Sequence, residues 1–404
     1  MIGAGRWLSL SVRAARGLPG LLRSLLLLLL LAGGSLQAAP WVPANDAEIV
    51  ETLPTVLGFS REERQLRRQR AVASSDAAIA VEAATAALDV ARTQGDARYA
   101  GYAMAALRHW ADQPPEQTPV RVLVMRATIA QFLHDFDGAE ALLKAALARD
   151  PSQAQAWLTL ATLHRVRGRY AESDAACRSV GRTGPALYGV ACLAENAGLR
   201  GEHAQARVAL QQLLADPALQ SPDRAGVRQW LLTSVAEIEE LAGRDAEAEA
   251  AYRQALAAER DGYLVLAYSD FLLRRGRAGE VAPLIGNEPR SDAVLLRLAT
   301  ASRAVEGTNK PGEELQARFD AAAQRPGAMS FHAREEALYA LDVRRDAARA
   351  LELARINLRL QREPIDMLVF ARAAAATRNA QASAELQQLM REIGLRDARI
   401  DALR

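Results

Sequence analysis

The stretch "AWLTLATLHRVRGRYAES", residues 156–173, decides the fold. Its apolar residues recur every three to four positions up to Val166, Gly168 interrupts them, and a second run opens at Tyr170. It therefore reads as a helix, a tight turn and the start of a returning helix. Glycine suits the turn because a left-handed backbone is cheap only without a Cβ. The same turn glycine stands in "LRGEHAQARVALQQLL" at Gly201, in "LAGRDAEAEAAYRQAL" at Gly243 and in "RRGRAGEVAPLI" at Gly276. Counted from Gly168 the intervals are 33, 42 and 33 residues, and "ADPALQSPDRAG" around Pro217 and Pro222 supplies the longer connection.

Composition agrees with a helical chain. Half of the 404 residues are hydrophobic and only 5% are aromatic, and the bulk is alanine and leucine, both strong helix formers. The length suffices for two or three globular domains or one elongated repeat domain. The 50 basic residues include only Lys144 and Lys310 as lysines. The formal charge of +2 depends on Arg6, Arg13, Arg16 and Arg23, which lie before Pro40 with no acid among them; without these four it becomes −2. Phosphate binding needs a concentrated basic face, so nucleic acid is not expected as a partner. The basic run "REERQLRRQR", residues 61–70, is tempered by Glu62 and Glu63 and reads as a solvated helix face.

The first residues carry a different signal. A basic segment ends at Arg23, an apolar run follows from Leu25 to Ala32, and Gly33, Gly34, Ser35 and "LQAAP" come after it. That order is a signal peptide with cleavage after Ala38 or Ala39, and it places the chain in the periplasm or outside the cell. The run falls far short of the ~20 residues that span a bilayer, so stable membrane insertion is not expected after cleavage. An uncleaved tether is the weaker alternative.

The strongest unit fits a known repeat pattern, W-x2-L-G-x2-Y, then A-x3-F, then P. Trp157, Leu160, Ala161 and His164 take its first four places, Ser173 and Cys177 the next two, and Pro185 the last. Subtracting 34 lands on Leu123, Ala127, Ala139, Leu143 and Pro151. Here the chain resembles the tetratricopeptide repeat family, most clearly over residues 120–285. With "APWVPANDAEIVETLP" after the leader, it is also similar to exported bacterial tetratricopeptide proteins of unassigned role. The resemblance implies an all-α, right-handed superhelical solenoid of stacked antiparallel helix pairs. The expected organisation is a signal peptide over 1–39, a helical N-terminal module with a degenerate repeat over 40–119, repeats over 120–285, and degenerate C-terminal repeats over 286–404. The terminal repeats are expected to trade apolar contacts for a polar outer face.

No constellation for catalysis stands out. There is no H-E-x-x-H, G-x-S-x-G, P-loop, dinucleotide turn or Cys-x2-Cys, and His109, His134, His164, His203 and His332 are scattered. The chain reads as non-enzymatic, with no cofactor and no metal. His134, Asp135 and Asp137 form the one cluster with a metal look, and their place at an inter-helix turn suits helix-capping acids better. Cys177 and Cys192 fall on different helices; in an oxidising compartment they form one disulfide, the alternative being two buried thiols.

In solenoids of this family the first helix of each pair lines a concave face that grips an extended segment. Aligning the units puts Arg121, Val124, Thr128 and Gln131 on that face, then Gln155, Leu158, Thr162 and Arg165. Tyr188 and Glu195 follow, then Trp230, Thr233 and Glu237, then Tyr263 and Asp270. The family's clamp for a C-terminal carboxylate lacks its lysines and asparagines here. A mixed-charge or amphipathic protein or peptide is the expected partner, in an envelope assembly. Self-association is the second reading, and would be favoured if Leu338, Leu341, Leu351 and Leu358 lay on a surface. A small-molecule or metal binder is the third.

Overall fold

Helix formation starts at Ala77, where the Asp76 carboxylate caps the first turn by accepting from the amides of Ala78 and Ile79. The structure, a computed structural model, describes residues 74–95, 98–305, 307, 309–324 and 333–403. The signal segment 1–39 and the basic run 61–70 lie outside the described residues, as does His332. Among the described residues the chain is all-helical, without strands. Helix α1 (Ala77–Gln94) pairs with α2 (Arg98–Ala106), α3 (Val120–Phe132) with α4 (Phe136–Arg149), and α5 (Ala154–Val166) with α6 (Tyr170–Thr183). The next pairs are α7 (Ala186–Leu199) with α8 (His203–Leu214), α9 (Ala225–Leu241) with α10 (Asp245–Ala258), and α11 (Gly262–Arg274) with the short α12 (Val281–Ile285). Then α13 (Asp292–Val305) pairs with α14 (Lys310–Ala323), and α15 (Ala333–Leu338) runs through a π-helical turn (Tyr339–Arg344) and pairs with α16 (Ala347–Asn357). Helices α17 (Pro364–Ala376), α18 (Ala380–Ile393) and α19 (Ala398–Asp401) close the chain.

The turn glycines adopt the left-handed backbone that the sequence implies: φ is 72° at Gly168, Gly243 and Gly276 and 91° at Gly201. In each case the next amide reaches back five residues, as in Arg169 to the His164 carbonyl at 2.8 Å and Arg244 to that of Glu239 at 2.8 Å. Two residues with side chains make the same turn, His134 at φ 60° and Arg378 at 51°, while Arg345, also at φ 60°, closes the π-helical turn, the next amide reaching back six residues to the Ala340 carbonyl at 2.8 Å. Glycine alone therefore underreports the repeat.

Between turns, the small positions of the pattern let helices approach closely. Ala127, Ala161, Ala194, Ala236 and Ser269 occupy one place on successive first helices and are all buried. Ala139, Ser173, Ala206, Ala248 and Val281 face them from the second helices, with Leu143, Cys177, Leu210, Tyr252 and Ile285 one turn further on. Each large side chain buried there contributes about 1.5–3 kcal/mol. His164 also lies in the core, and burial lowers its pKa. Helices α6 and α7 pack backbone to backbone at their glycines: a Cβ on Gly189 would stand 2.7 Å from the Gly181 backbone. Cys177 and Cys192, with Cα atoms 5.6 Å apart, form a disulfide across the same two helices.

The C-terminal end departs from the expected polar cap. Instead of fading outward, it returns to the turns of the middle pairs. The Arg362 amide donates to the Val166 carbonyl at 2.7 Å and the Arg396 amide to that of Leu199 at 2.9 Å. Arg399 reaches Glu240 at 3.2 Å. Tyr170, Leu199 and Leu241 join Met367, Phe370, Leu386, Met390 and Ile400 in one apolar cluster. The turn glycines make room for this return, since Cβ atoms at Gly168 and Gly243 would stand 3.1 Å from Ile393 and Ala398. Leu338, Leu341, Leu351 and Leu358 are buried in the same cluster, so they present no apolar surface for self-association.

Candidate partner-binding face

Measured back from the left-handed turn residue, two positions of the first helices form columns. Thirteen residues before the turn stand Arg121, Gln155, Tyr188, Trp230 and Tyr263. Six residues before it stand Thr128, Thr162, Glu195, Glu237 and Asp270. These positions are two helical turns apart and share a face. Arg121 and Gln155 are exposed, Tyr188 and Trp230 half-buried, and Tyr263 is 63% exposed. The rings of Tyr188 and Trp230 stack with centroids 5.9 Å apart. Val124 and Thr233 are corrections to the sequence reading: both are buried and offer nothing to a partner. Val124 belongs to the apolar cluster that holds Leu123 and Leu160, and the Thr233 hydroxyl is held by Gln229 at 2.9 and 3.1 Å. Gln131, Leu158, Thr128 and Thr162 are half-buried, and the two threonines spend their hydroxyls on backbone carbonyls one turn back. Trp157, off this face, is packing: its ring lies against two apolar clusters and its Nε1 donates to the Pro151 carbonyl at 2.9 Å.

The acids of the second column are tied across the pairs. Glu195 accepts from Arg165 of the preceding pair and from the Ser234 hydroxyl, the latter at 2.7 Å. Burial works against the charge of Arg165, and Glu195 beside it more than compensates, so its pKa rises. Asp270 is paired with Arg297, and burial nevertheless raises its pKa. Glu237 accepts from the Tyr263 hydroxyl. Burial pushes the Glu237 carboxyl up to about 7; the charges of Glu195 and Glu240 add to this, while Tyr263 and Arg165 oppose it. The Tyr263 hydroxyl rises in turn, chiefly because the Glu237 charge faces it. The charge of Glu363, at the N-cap of α17, also acts on Arg165, Tyr170 and Tyr263.

Sequence reading missed Ser234, Arg297 and Glu363. For Arg297 a signal existed, because it stands one 34-residue period after Tyr263 and, like Tyr263, reaches back to an acid of the preceding pair.

The cluster at His134 resolves into capping and ion pairs. Asp135 accepts from the Gly138 amide at 3.0 Å, Asp137 meets Arg167, and Glu140 meets Arg169 and Lys144. The Arg169 guanidinium holds the Glu140 carboxyl down at about 2. Among the described residues no group of three or more histidines, cysteines or acids is placed to hold a metal ion. No helix among them is long and apolar enough to cross a membrane.

Residues 133–186, which hold α4 through α6 with their turns, match the tetratricopeptide repeat family. No curated protein matches the chain. A tetratricopeptide repeat protein from Parabacteroides merdae is similar in structure at 14% identity and a TM-score of 0.40, covering 63% of this chain and 89% of its own. Yeast Tom70 is similar at 11% identity and a TM-score of 0.23, covering 77% of this chain and 84% of its own. At these values neither likeness speaks to function.

Proposed function

We propose that the chain is an exported, non-enzymatic scaffold that holds an extended protein or peptide segment along the first-helix face. The observation that carries this reading is the aromatic column. Tyr188, Trp230 and Tyr263 repeat at one position of three successive pairs and remain solvent-accessible, whereas the packing positions beside them are buried. Aromatic rings held on rigid helices supply contact area at little entropic cost. Export rests on the order of basic, apolar and small residues over 1–39. The buried leucines of the C-terminal region leave self-association without its motivating surface.

A photocrosslinking amino acid placed at Tyr263 tests the face, with the same group at Val208, 50% exposed on the second helix α8, as the control. The expected result is a discrete adduct from position 263 that Trp230→Ala removes, and none from 208. Equal adducts from both positions would remove the face from the reading. Fusion of residues 1–39 to a periplasm-dependent phosphatase tests export, and an inactive fusion would overturn it.

A further inference from the structure

The three acids of the second column are not equally provided for. Glu195 has the Arg165 guanidinium and Asp270 has that of Arg297. Glu237 has the Tyr263 hydroxyl, and among the described residues no arginine or lysine forms an ion pair with it. The surroundings of this carboxylate suit a cation. Trp230 lies seven residues before it on the same face of α9, with Tyr188 stacked behind at 5.9 Å. The Tyr263 hydroxyl reaches it from α11, and that residue is 63% exposed. Aromatic faces attract guanidinium and ammonium groups, and partial desolvation strengthens both that attraction and the ion pair.

Resting on the reading of this face as a peptide groove, we infer that Glu237 is the seat of one arginine or lysine side chain of the bound segment, with Trp230 and Tyr263 lining its approach. The missing basic partner in an otherwise fully paired ladder supplies the charge complementarity. The accessible column continues from Tyr263 back to Gln155 over four pairs. A free small cation would use one rung of it, whereas an extended chain uses them all.

A random dodecapeptide library panned on the full chain tests the inference, with Glu237→Gln and Glu237→Arg panned beside it and their folding checked by circular dichroism. Wild-type selections are expected to share a basic residue at one fixed position. Glu237→Gln loses that preference while keeping the others, and Glu237→Arg replaces it with Asp or Glu. For one selected peptide, changing its basic residue to Gln is expected to weaken binding at least tenfold on the wild type and less than threefold on Glu237→Gln. A basic preference that survives both substitutions, or wild-type selections without one, overturns the seat. Calorimetry with spermidine separates the sources: spermidine binding that Glu237→Gln abolishes, without a basic position in the peptides, overturns the peptide as occupant. Failure to select any peptide on the wild type overturns the groove reading itself.

Discussion

Arg399 is the residue whose loss tests the closure of the C-terminal helices onto the middle pairs. Its guanidinium meets Asp397 through Nε at 2.9 Å and Nη2 at 2.8 Å, and Glu240 at 3.2 Å. Both acids are buried, Asp397 at 1% exposure and Glu240 at 5%. Breaking a buried ion pair from one side costs about 3–5 kcal/mol, because the remaining charge loses its compensation. Here the loss is partial. Glu240 keeps Arg274 and the Tyr252 hydroxyl, and Asp397 keeps the amide of residue 399 as its capping bond. Arg399→Met, which retains the apolar stem, is therefore expected near the lower end, about 3 kcal/mol. The readout is local. The Arg396 amide is bonded to the Leu199 carbonyl, and its hydrogen exchange reports opening of this contact. A cost of about 3 kcal/mol corresponds to roughly 150-fold faster exchange at about 1.4 kcal/mol per decade. Adding Asp397→Asn removes one stranded charge and is expected to recover about half of the loss. Exchange within threefold of the wild type in Arg399→Met would refute the reasoning, since the pairs would then carry no net stabilisation.

Four further outcomes are expected. Binding of a basic peptide strengthens as pH rises from 6 to 8, because the Glu237 carboxyl, pushed up to about 7, gains its charge over that interval. Tyr263, Glu195, Glu240 and Arg165 are the groups acting on it, and anisotropy titrations on Glu237→Gln should be flat between the two pH values. Without a ligand the sign reverses: a carboxyl raised above 4.5 destabilises the fold as pH climbs through its pKa, so Glu237→Gln melts no lower than wild type at pH 8. Ala161→Leu costs about 1–3 kcal/mol in urea unfolding, because Ala161 is fully buried and its carbonyl accepts from Ser173 at 2.8 Å; an unchanged midpoint would contradict the register. Arg378→Gly stabilises by about 0.5–1 kcal/mol, since a side chain at φ 51° is strained and glycine is not; a lower midpoint would show that Arg378 makes a compensating contact.

The features legible in the sequence are those with local causes. A left-handed turn calls for glycine, so Gly168, Gly201, Gly243 and Gly276 are visible. Close helix contact calls for a small side chain, so Ala127, Ala161 and Ser173 are visible too. His134, Arg345 and Arg378 are not, because their cost of about 1–2 kcal/mol is absorbed by the turn's hydrogen bonds and leaves no residue signature. On the face, the column from Arg121 to Tyr263 follows from spacing alone. The burial of Val124 and Thr233 depends on which neighbouring helix leans over them, and periodicity carries no such information. The C-terminal return is the extreme case: Arg399 and Glu240 are 159 residues apart, and the segment's apolar residues read equally well as a capping repeat.

The return and the face share one helix. Glu239 and Glu240 sit in the last turn of α9, where the helix dipole already places negative charge. Two buried acids there would be strongly unfavourable alone, and Arg207 and Arg244 hold the first while Arg274 and Arg399 hold the second. Three residues before Glu240 on the same helix stands Glu237, which no arginine among the described residues holds in an ion pair. Arg274 comes from the next pair and Arg399 from the end of the chain, so the pairs that carry Trp230 and Tyr263 are tied both to each other and to the C-terminal helices. A segment binding between those rings meets a face fixed before it arrives, and the ordering cost falls on the segment rather than on the scaffold.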